Sequence, residues 1–498
     1  MEATPTRADG TGLTREILVI GGVVVLGAIM SILDATIVNV AIPTLGRDFH
    51  TSVSTIQWVL TGYLLAFASV IPLTGWASQR FGAKRVWMTS LLLFMAASAL
   101  AGTAWSIDSL IAFRVLQGLG GGLIMPVGQT IIAQAAGPER MGRVMSIVGV
   151  PMLLGPVLGP VAGGAIVDQV SWRWIFFVNL PVGVAALVAA QRLLPEAKPH
   201  GGARLDALGL ALLSPGLAVF VYGMSEAGTR GGFLNGTTIV AAAAGVMLVA
   251  LFVAHARRRG REALIDVSLF LRRGFATAAA ANLLLGIALF GALILLPLYY
   301  QLVRGESPLT TGLLLVPQGL GAAAAMPLAG WLTDRVGARL VIPVGIAVAL
   351  AGTAAYTQVG AETSYVVLAG SLFLVGVGLG STIMPSMAVA YQTVSRELVA
   401  QATSALNVIQ RVAASIGTAL LAVVLQREIA TSLPGLGGGI RMIGTLSQQQ
   451  RSQAAPALAG AFGTTFWVAL GLLATALVPA LLLPRLRREA RPTAAAPA

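Results

Sequence analysis

Long apolar stretches alternate with short polar segments along the whole chain. A helix needs about 20 mostly apolar residues to cross roughly 30 Å of hydrocarbon, and fourteen stretches of the sequence meet that requirement. The pattern therefore predicts an all-α membrane protein with fourteen transmembrane helices. These cover residues 17–44, 54–77, 86–104, 107–133, 143–166, 173–193, 206–225, 236–256, 275–300, 310–331, 340–358, 365–390, 402–425 and 461–483.

Basic residues concentrate in alternate connecting segments. An even number of spans places both termini on one side, and the segments of that side hold 23 lysines and arginines against seven on the other side. The remaining two, Arg114 and Arg411, lie inside predicted spans. Because cytoplasmic loops are enriched in Lys and Arg, we predict a multi-pass protein of the cell membrane with both termini in the cytoplasm.

The amino-acid composition restricts the kinds of site and partner that the protein can have. Hydrophobic residues make up 56% of the 498 residues and charged residues 10%, whereas soluble domains carry about 25% charge. The absence of cysteine excludes disulfides and thiolate metal sites, the three histidines are assigned to loops, and no metal or cofactor is expected. The net charge of +13 is explained by membrane topology, so no nucleic-acid partner is expected. No acid, base and nucleophile converge within the spans, which argues against an enzyme.

An internal repeat divides the chain into two halves. The segment Gly75-Trp-Ala-Ser-Gln-Arg-Phe-Gly-Ala-Lys-Arg-Val86 returns 255 residues later as Gly330-Trp-Leu-Thr-Asp-Arg-Val-Gly-Ala-Arg-Leu-Val341, with six of twelve positions identical. Duplicated six-helix halves are typical of transporters whose substrate binds between the halves. The predicted segments are a cytoplasmic N-terminus (1–16), a six-helix half (17–193), a linker with two additional helices (194–257), a basic cytoplasmic loop (258–274), a second six-helix half (275–484) and a disordered cytoplasmic tail (485–498).

Several segments together resemble one known family, the fourteen-helix drug:proton antiporters of the QacA/EmrB type within the major facilitator superfamily. The resemblance implies the major facilitator fold, two six-helix halves with two helices between them, and the proton gradient as energy source. It rests on residues 33–43 (Leu-Asp-Ala-Thr-Ile-Val-Asn-Val-Ala-Ile-Pro), 57–64 (Gln-Trp-Val-Leu-Thr-Gly-Tyr-Leu), 171–181 (Ser-Trp-Arg-Trp-Ile-Phe-Phe-Val-Asn-Leu-Pro), 296–301 (Leu-Pro-Leu-Tyr-Tyr-Gln) and 307–308 (Ser-Pro).

Asp34 is the acidic residue that falls well inside a predicted span. A charge at a helix centre costs on the order of 3 kcal/mol, so such residues usually face a cavity or a partner. Arg114 lies at a similar depth, and the resemblance places both helices around one cavity. We therefore predict that Asp34 and Arg114 couple transport to protons, with a static ion pair between the two helices as the alternative.

Gly and Pro recur at intervals of four in the fifth predicted span. Small residues at this spacing allow close helix packing, and interior prolines bend a helix. In the resembled family this pattern is an antiporter motif at the interface between the halves, and it implies exchange. The residues are Gly155, Pro156, Gly159, Pro160, Gly163 and Gly164.

The two copies of the repeated loop resemble the cytoplasmic gate loops of the superfamily. The family usually has aspartate where the first copy has Gln79, whereas the second copy keeps Asp334. We expect the first latch to be weaker or purely hydrogen-bonded. The predicted gate residues are Gly75, Gln79, Arg80, Gly82, Gly330, Asp334, Arg335 and Gly337.

Other polar groups within the spans are weaker site predictions. Arg411 serves either coupling or a structural role such as pairing with backbone carbonyls. Aromatic and amide side chains are typical anchors in apolar drug pockets, although aromatic residues also gather at membrane interfaces. The predicted substrate-binding residues are Asn39, Trp58, Tyr63, Tyr299, Tyr300 and Gln318.

The sequence thus predicts a monomeric, proton-coupled efflux antiporter for lipophilic drugs or antibiotics, with cations as the expected class. A dedicated exporter of one metabolite or self-made antibiotic would use the same machinery. A proton-linked uptake carrier is the third hypothesis, and the fifth-span motif argues against it.

Overall fold

The computed structural model describes residues 14–136, 144, 159, 162–167, 169–196, 204–230, 232–433 and 448–483, and these contain helices and no strand. The helices are α1 Arg15–Asp48, α2 Val53–Val70, α3 Leu73–Phe81, α4 Ala83–Gly102, α5 Ile107–Ala136, α6 Trp174–Phe177, α7 Asn179–Leu193, α8 Ala207–Arg230, α9 Gly236–Arg259, α10 Arg273–Leu302, α11 Pro308–Val336, α12 Ala338–Tyr356, α13 Tyr365–Gly380, α14 Ile383–Gln392, α15 Val399–Ser432, α16 Gln448–Thr475 and α17 Leu477–Leu481.

The described part of the chain contains twelve helical segments long and apolar enough to cross a membrane. Helices α2 and α3, which are bent by 57° at Ile71 and Pro72, are together long and apolar enough to form a thirteenth span. These thirteen correspond to thirteen of the predicted spans. The remaining prediction, residues 143–166, lies mostly outside the described residues, as do most of the predicted N-terminus and all of the predicted tail. The predicted segment boundaries stay predictions.

The repeated segment has the same backbone geometry in both halves. Gly82 ends α3 with φ 86°, and Gly337 ends α11 with φ 88°. In each copy the glycine N–H donates to a carbonyl four residues earlier, from Ser78 or Thr333. Because side chains other than glycine rarely adopt this conformation, the two glycines fix the same sharp turn between consecutive helices.

Each half packs around central helices, and the halves meet at one end of the bundle. In the first half α5 packs against α1, α2 and α4, and in the second half α10 packs against α14, α15 and α16. The contacts between halves join α15 to α3 and to α5. They lie at the end of the bundle that carries the Gly82 turn, which is the predicted cytoplasmic end.

Of the two additional helices, α8 packs against both halves and α9 packs against α8. Helix α8 contacts α9 along its length, and it also contacts α2 of the first half and α15 of the second. The Trp58 and Tyr222 rings of α2 and α8 stack at 6.1 Å, and the Gln426 amide of α15 donates to the Gly228 carbonyl of α8 at 2.7 Å. Helix α8 therefore bridges both halves.

The structure describes the predicted basic loop, and it corrects the assignment of one histidine. The basic loop 258–274 contains 3-10 turns at Gly260–Glu262 and Val267–Leu271, because Leu264 and Leu269 are buried in the core. His255, assigned to a loop, lies within α9. Its imidazole bonds to the buried Asp206 carboxylate, which explains why a polar residue is retained there.

Candidate functional site

Asp34 and Arg114 meet in the interior of the first half. The Arg114 Nη1 atom lies 2.6 Å from Asp34 Oδ2, and both side chains have 0% exposure. Asp34 comes from the middle of α1 and Arg114 from the first third of α5, and the packing of these two helices brings the side chains together. The predicted juxtaposition is therefore present as a closed ion pair in this conformation.

Two amide side chains complete the environment of the Asp34 carboxylate. Gln117 Nε2 donates to Oδ1 at 2.9 Å, and Asn179 Nδ2 donates to the same oxygen at 3.0 Å. Asn179 is also anchored by the Ser98 hydroxyl, which lies 3.1 Å from its amide nitrogen. Three donors thus satisfy the hydrogen-bonding capacity of a buried carboxylate that lipid alone would not tolerate.

Arg114 is held as firmly as its acidic partner. Its Nε donates to the Val59 carbonyl at 3.2 Å, its Nη1 donates to Gln117 Oε1 at 2.6 Å, and its guanidinium lies 4.1 Å above the Tyr63 ring. Its Nη2 has no hydrogen-bond partner among the described residues. Helices α1, α2, α5 and α7 therefore converge on one charge pair, and losing the Asp34 charge would affect all four.

Glycines let these helices approach closely. A Cβ at Gly120 would lie 2.7 Å from the Phe94 nitrogen of α4, and one at Gly122 would lie 2.5 Å from the Phe67 carbonyl of α2. Both distances are too short for a side chain, so only glycine permits the observed packing. This explains the glycine run that follows Arg114.

The described part of the predicted antiporter motif packs against α1. A Cβ at Gly159 would overlap the Thr36 side chain, two residues from Asp34, whereas a Cβ at Gly164 would meet no atom within 4 Å. Gly163 is buried. Gly155, Pro156 and Pro160 lie outside the described residues. The closest contact of Gly159 is therefore with α1 of its own half, next to the charge pair, and the predicted packing of the motif between the halves stays a prediction.

Two predicted gate residues of the first copy, Gly75 and Gln79, lie where the halves touch. Gln79 Nε2 donates to the backbone carbonyl of Glu397 at 3.3 Å, which matches the expected hydrogen-bonded latch. A Cβ at Gly75 would lie 3.3 Å from Gln401 Cα of α15. The backbones of the two halves are thus in near contact at this end.

The second copy of the gate loop makes different contacts. Gly330 is buried, and Arg335 lies 4.1 Å above the Trp331 ring on the surface of α11. Arg80 is partly exposed. The side chain of Asp334 lies outside the described part, so its predicted latch stays a prediction.

The six predicted substrate-binding residues do not converge. Tyr299 and Tyr300 are fully buried in a core cluster near the outer end of α10, and Tyr63 is buried against Arg114. Trp58 stacks on Tyr222, and the side chain of Asn39 lies outside the described part. Gln318 lines a cavity of the second half.

Two neighbouring apolar cavities lie in the second half. Both are lined by Leu289 and Leu293 of α10. The first extends to Gln318 and Phe466, and the second to Gln410. Apolar walls with few polar groups are typical of sites for lipophilic ligands.

A family model of the Major Facilitator Superfamily matches residues 24–418 of this sequence. The chain belongs to this superfamily. The match spans both halves and the two additional helices between them, so the superfamily resemblance read from the motifs is confirmed. The described helices and the repeated gate turn fit the same assignment.

Relatives and solved structures agree with this assignment. The chain is 41% identical over 499 residues to a Mycobacterium tuberculosis (strain ATCC 25618 / H37Rv) protein named "Multidrug resistance protein B homolog", covering 97% of this chain and 92% of the relative. It is 31% identical to the "Multidrug export protein EmrB" of Haemophilus influenzae, covering 79% and 78%. The structure of the human organic anion transporter MFSD10 (TETRAN) matches with a TM-score of 0.60 at 17% identity, covering 93% of this chain and 100% of that one. This last likeness concerns the fold alone.

Arg411 of this major facilitator lies against an aromatic ring, and its role in coupling stays a prediction. Its guanidinium carbon lies 4.0 Å from the centroid of the Phe67 ring, which belongs to the opposite half. Within the described residues it makes no ion pair and no hydrogen bond to a carbonyl. The sequence suggested a buried cation but could not indicate that an aromatic ring 344 positions earlier covers it.

Gln117 and Asn179 are the site residues that sequence reasoning missed. Gln117 follows Arg114 by three residues, which places both on one helix face. Asn179 lies in the quoted segment 171–181, where it begins α7. The helical spacing could have indicated Gln117, whereas only the packing of α7 against α1 brings Asn179 to the carboxylate.

Proposed function

We propose that this superfamily member is a proton-coupled exporter of lipophilic small molecules that works by alternating access. We place it in the cell membrane, with both termini in the cytoplasm and the proton gradient as its energy source. The names of its relatives support drug export, and the buried pair of Asp34 and Arg114 carries the proposal of proton coupling. The asymmetry of the basic loops supports the orientation.

The charge pair offers a physical basis for coupling. While Asp34 is ionised, Arg114 holds α1 and α5 together through one short ion pair. A proton on Asp34 would cancel the negative charge and leave Arg114 buried without a counterion, which is costly in an apolar interior. The protein would then favour a conformation that hydrates or re-pairs Arg114. Proton binding would in this way change the relative stability of the two transport states.

The closed end of the bundle supports a direction for the cycle. At the predicted cytoplasmic end, Gln79 donates to the Glu397 carbonyl of the second half. Ser404 of the second half donates to the Ile71 and Pro72 carbonyls of the first. This conformation is therefore closed toward the cytoplasm. Protons entering from outside would reach Asp34 as cargo leaves outward, and proton release inside would reset the pump.

The substrate range separates the remaining hypotheses. A dedicated exporter of one metabolite would have the same charge pair and gate, and would differ only in the breadth of its pocket. An uptake carrier would move protons and substrate in the same direction. Direct cation binding by Asp34 would require the carboxylate to leave Arg114, Gln117 and Asn179, which occupy it in this conformation.

Proton release from energised inverted vesicles tests the proposal. Wild-type vesicles should release protons when lipophilic cations, neutral antibiotics or lipophilic weak acids are added, and a response to a single compound would indicate a dedicated exporter. Asp34→Asn should abolish the response, because the amide cannot exchange a proton. Asp108→Asn, an equivalent change at an exposed position of α5, should leave it unchanged. A folded Asp34→Asn protein with full proton-dependent export would show that the pair is only structural.

A further inference from the structure

The basic loop 258–274 is held against the bundle at the membrane surface. The two membrane-spanning segments that contain α9 and α10 are separated only by residues 263–272, at the predicted cytoplasmic end. Leu264 and Leu269 are buried in the core, and the Leu264 N–H donates to the Asp206 carboxylate at 3.1 Å. The exposed side chains of the loop therefore form a defined surface at the level of the lipid headgroups.

Positive charge accumulates on this surface. The loop and the last turn of α9 contain six exposed arginines and two acids. Glu262 is exposed, whereas Asp266 is buried and accepts a hydrogen bond from the Ser268 N–H at 2.9 Å. The six arginines, which we call the arginine patch, are Arg257, Arg258, Arg259, Arg261, Arg272 and Arg273.

Most of the arginine patch has no partner within the protein. Arg259 Nη1 lies 3.7 Å from Asp206 Oδ1, and Arg272 Nη1 donates to the Thr393 carbonyl at 3.4 Å. The other four side chains of the patch make no hydrogen bond or ion pair with any residue that the structure describes. Their guanidinium groups are therefore available to an anion from outside the protein.

Two exposed apolar side chains lie next to the arginine patch. Leu271 is 84% exposed and Phe270 is 37% exposed, with the Phe270 ring against Phe275 of α10 at 5.2 Å. Apolar side chains flanked by arginines are typical of segments that lie in the interface between headgroups and acyl chains. The start of α10 thus offers an acyl chain an apolar contact directly beside positive charge.

This combination is complementary to an anionic phospholipid. Guanidinium groups bind phosphate oxygens in bidentate fashion, and each basic residue near an anionic membrane strengthens binding by about fivefold. A zwitterionic lipid has no net charge to attract the patch. A soluble phosphate has no acyl chain to cover Leu271.

We infer that the arginine patch, together with Phe270 and Leu271, is a binding site for an anionic phospholipid of the cytoplasmic leaflet. The phosphate headgroup lies on the arginines, and an acyl chain covers the two apolar side chains. This inference goes beyond the proposed function and does not rest on proton coupling. It assigns a ligand to a loop that the export mechanism leaves without a role.

Native mass spectrometry of the purified full-length protein with added lipid tests the site. Phosphatidylglycerol and phosphatidylcholine with identical acyl chains serve as the anionic and zwitterionic probes. The wild type should bind its first phosphatidylglycerol about twentyfold more tightly than phosphatidylcholine. The double variant Arg272→Gln/Arg273→Gln should lose most of this preference, because two arginines together contribute about that factor.

Other variants provide controls. Arg85→Gln/Arg192→Gln makes the same change of charge at two exposed arginines of the first half, outside the patch, and should keep the preference. Leu271→Ser should weaken both lipids equally, because it removes only the contact with the acyl chain. If the first double variant does not fold, Arg257→Gln/Arg258→Gln carries the test, since neither side chain bonds to a described residue.

Four results would overturn the inference. The first is equal binding of the two lipids to the wild type, and the second is an equal loss of preference in the patch variant and in the first-half control. The third is unchanged binding of both lipids by Leu271→Ser. The fourth is displacement of the lipid by an equal concentration of glycerophosphoglycerol, the same headgroup without acyl chains, which would identify the ligand as a soluble phosphate.

Asp34→Asn separates this test from the proposed function. The variant should lose the proton-release response and keep the full preference for phosphatidylglycerol, because Asp34 lies inside the first half and away from the patch. Lipid preference without export would contradict the proposed function alone. Proton-driven export by a wild type without lipid preference would contradict the lipid site alone.

Discussion

Arg114 joins three structural elements with a single side chain. Its Nη1 contacts Asp34 on α1 and Gln117 on its own helix, and its Nε donates to the Val59 carbonyl on α2. A lysine ammonium could pair with the carboxylate, but it could not reach these positions with the same planar geometry. The site therefore requires an arginine and not merely a positive charge.

Arg114→Lys tests this requirement. We expect the free energy of unfolding to fall by about 1.5–3 kcal/mol, the usual value of a hydrogen bond to a charged group, and transport to be lost. Thermal unfolding in detergent and the vesicle proton-release assay measure the two effects. Arg85→Lys changes an exposed arginine of α4 and should alter neither. Unchanged unfolding of Arg114→Lys would contradict the geometric role.

Asp34 could be found from sequence because one acid within an apolar run stands out in a linear pattern. The full set of side chains that contact Asp34 could not be found from sequence. Asn179 lies 145 residues from Asp34 along the chain, and its amide is one of many polar groups near helix ends. Which of them reaches the carboxylate depends on how α7 packs against α1, and this packing leaves no periodic signal.

At the scale of elements, the Asp206 side chain connects the start of α8 to α9 and to the basic loop 258–274. It precedes α8 and receives hydrogen bonds from the backbone N–H groups of Gly209 and Leu264, while His255 Nε2 lies 2.8 Å from its carboxylate. Burial alone raises the pKa of Asp206, but these hydrogen bonds outweigh burial and hold its pKa below the ordinary value of 3.8. The ionised carboxylate is therefore favoured in the folded protein.

This lowered pKa predicts a pH-dependent difference between the wild type and Asp206→Asn. A depressed carboxylate pKa contributes stability above the unfolded value, and the contribution is lost as the pH falls through the folded pKa. The difference in melting temperature should be full at pH 7 and should shrink below the ordinary pKa of 3.8. Melting curves across this range measure the difference, with Glu262→Gln, an exposed change in the basic loop, as control. A difference that stays constant in acid would rule out the charged form as the source.

The order and type of the elements could be predicted from hydrophobic periodicity, whereas their exact ends could not. The predicted spans 402–425 and 461–483 leave residues 426–460 as a connecting loop. The structure makes this loop shorter, because α15 continues to Ser432 and α16 begins at Gln448. Both helix ends are rich in polar residues that read as loop in sequence. Contacts such as that between Gln426 and Gly228 keep the end of α15 helical despite its polarity.

At the scale of the whole molecule, the gate is asymmetric although the halves are repeats. Pro72 lies at the 57° bend between α2 and α3, whereas Pro327 lies within the continuous helix α11. The Ile71 and Pro72 carbonyls at this bend lie within hydrogen-bond distance of the Ser404 hydroxyl, which belongs to the opposite half. The bend in the first half therefore takes part in a contact between the halves, which the matching sequence repeat does not reveal.

Gln79→Asp tests the closed gate. Aspartate cannot donate to the Glu397 carbonyl, so the cross-half bond at 3.3 Å would be lost. A neutral hydrogen bond contributes about 0.5–1.5 kcal/mol, which shifts the ratio of closed to open states about two- to tenfold toward the cytoplasm-open state. The chain has no cysteine, so maleimide labelling of an Ala77→Cys reporter in inverted vesicles measures this opening.

The Ala77→Cys reporter should react faster in the Gln79→Asp protein than in the wild-type background. Ala77 is only 5% exposed in the closed gate, so opening of the gate increases its accessibility. Gln191→Asp, an exposed change on α7 of the same half, should label as the wild type does. Equal labelling of all three proteins would show that the Gln79 bond does not contribute to closure.

The position of α8 constrains how the two halves separate. Because this helix contacts both α2 and α15, it covers the gap between the two halves on one flank of the bundle. A lateral gap between the halves cannot form on that flank while these contacts persist. Any opening toward the bilayer would therefore lie on the flank away from α8.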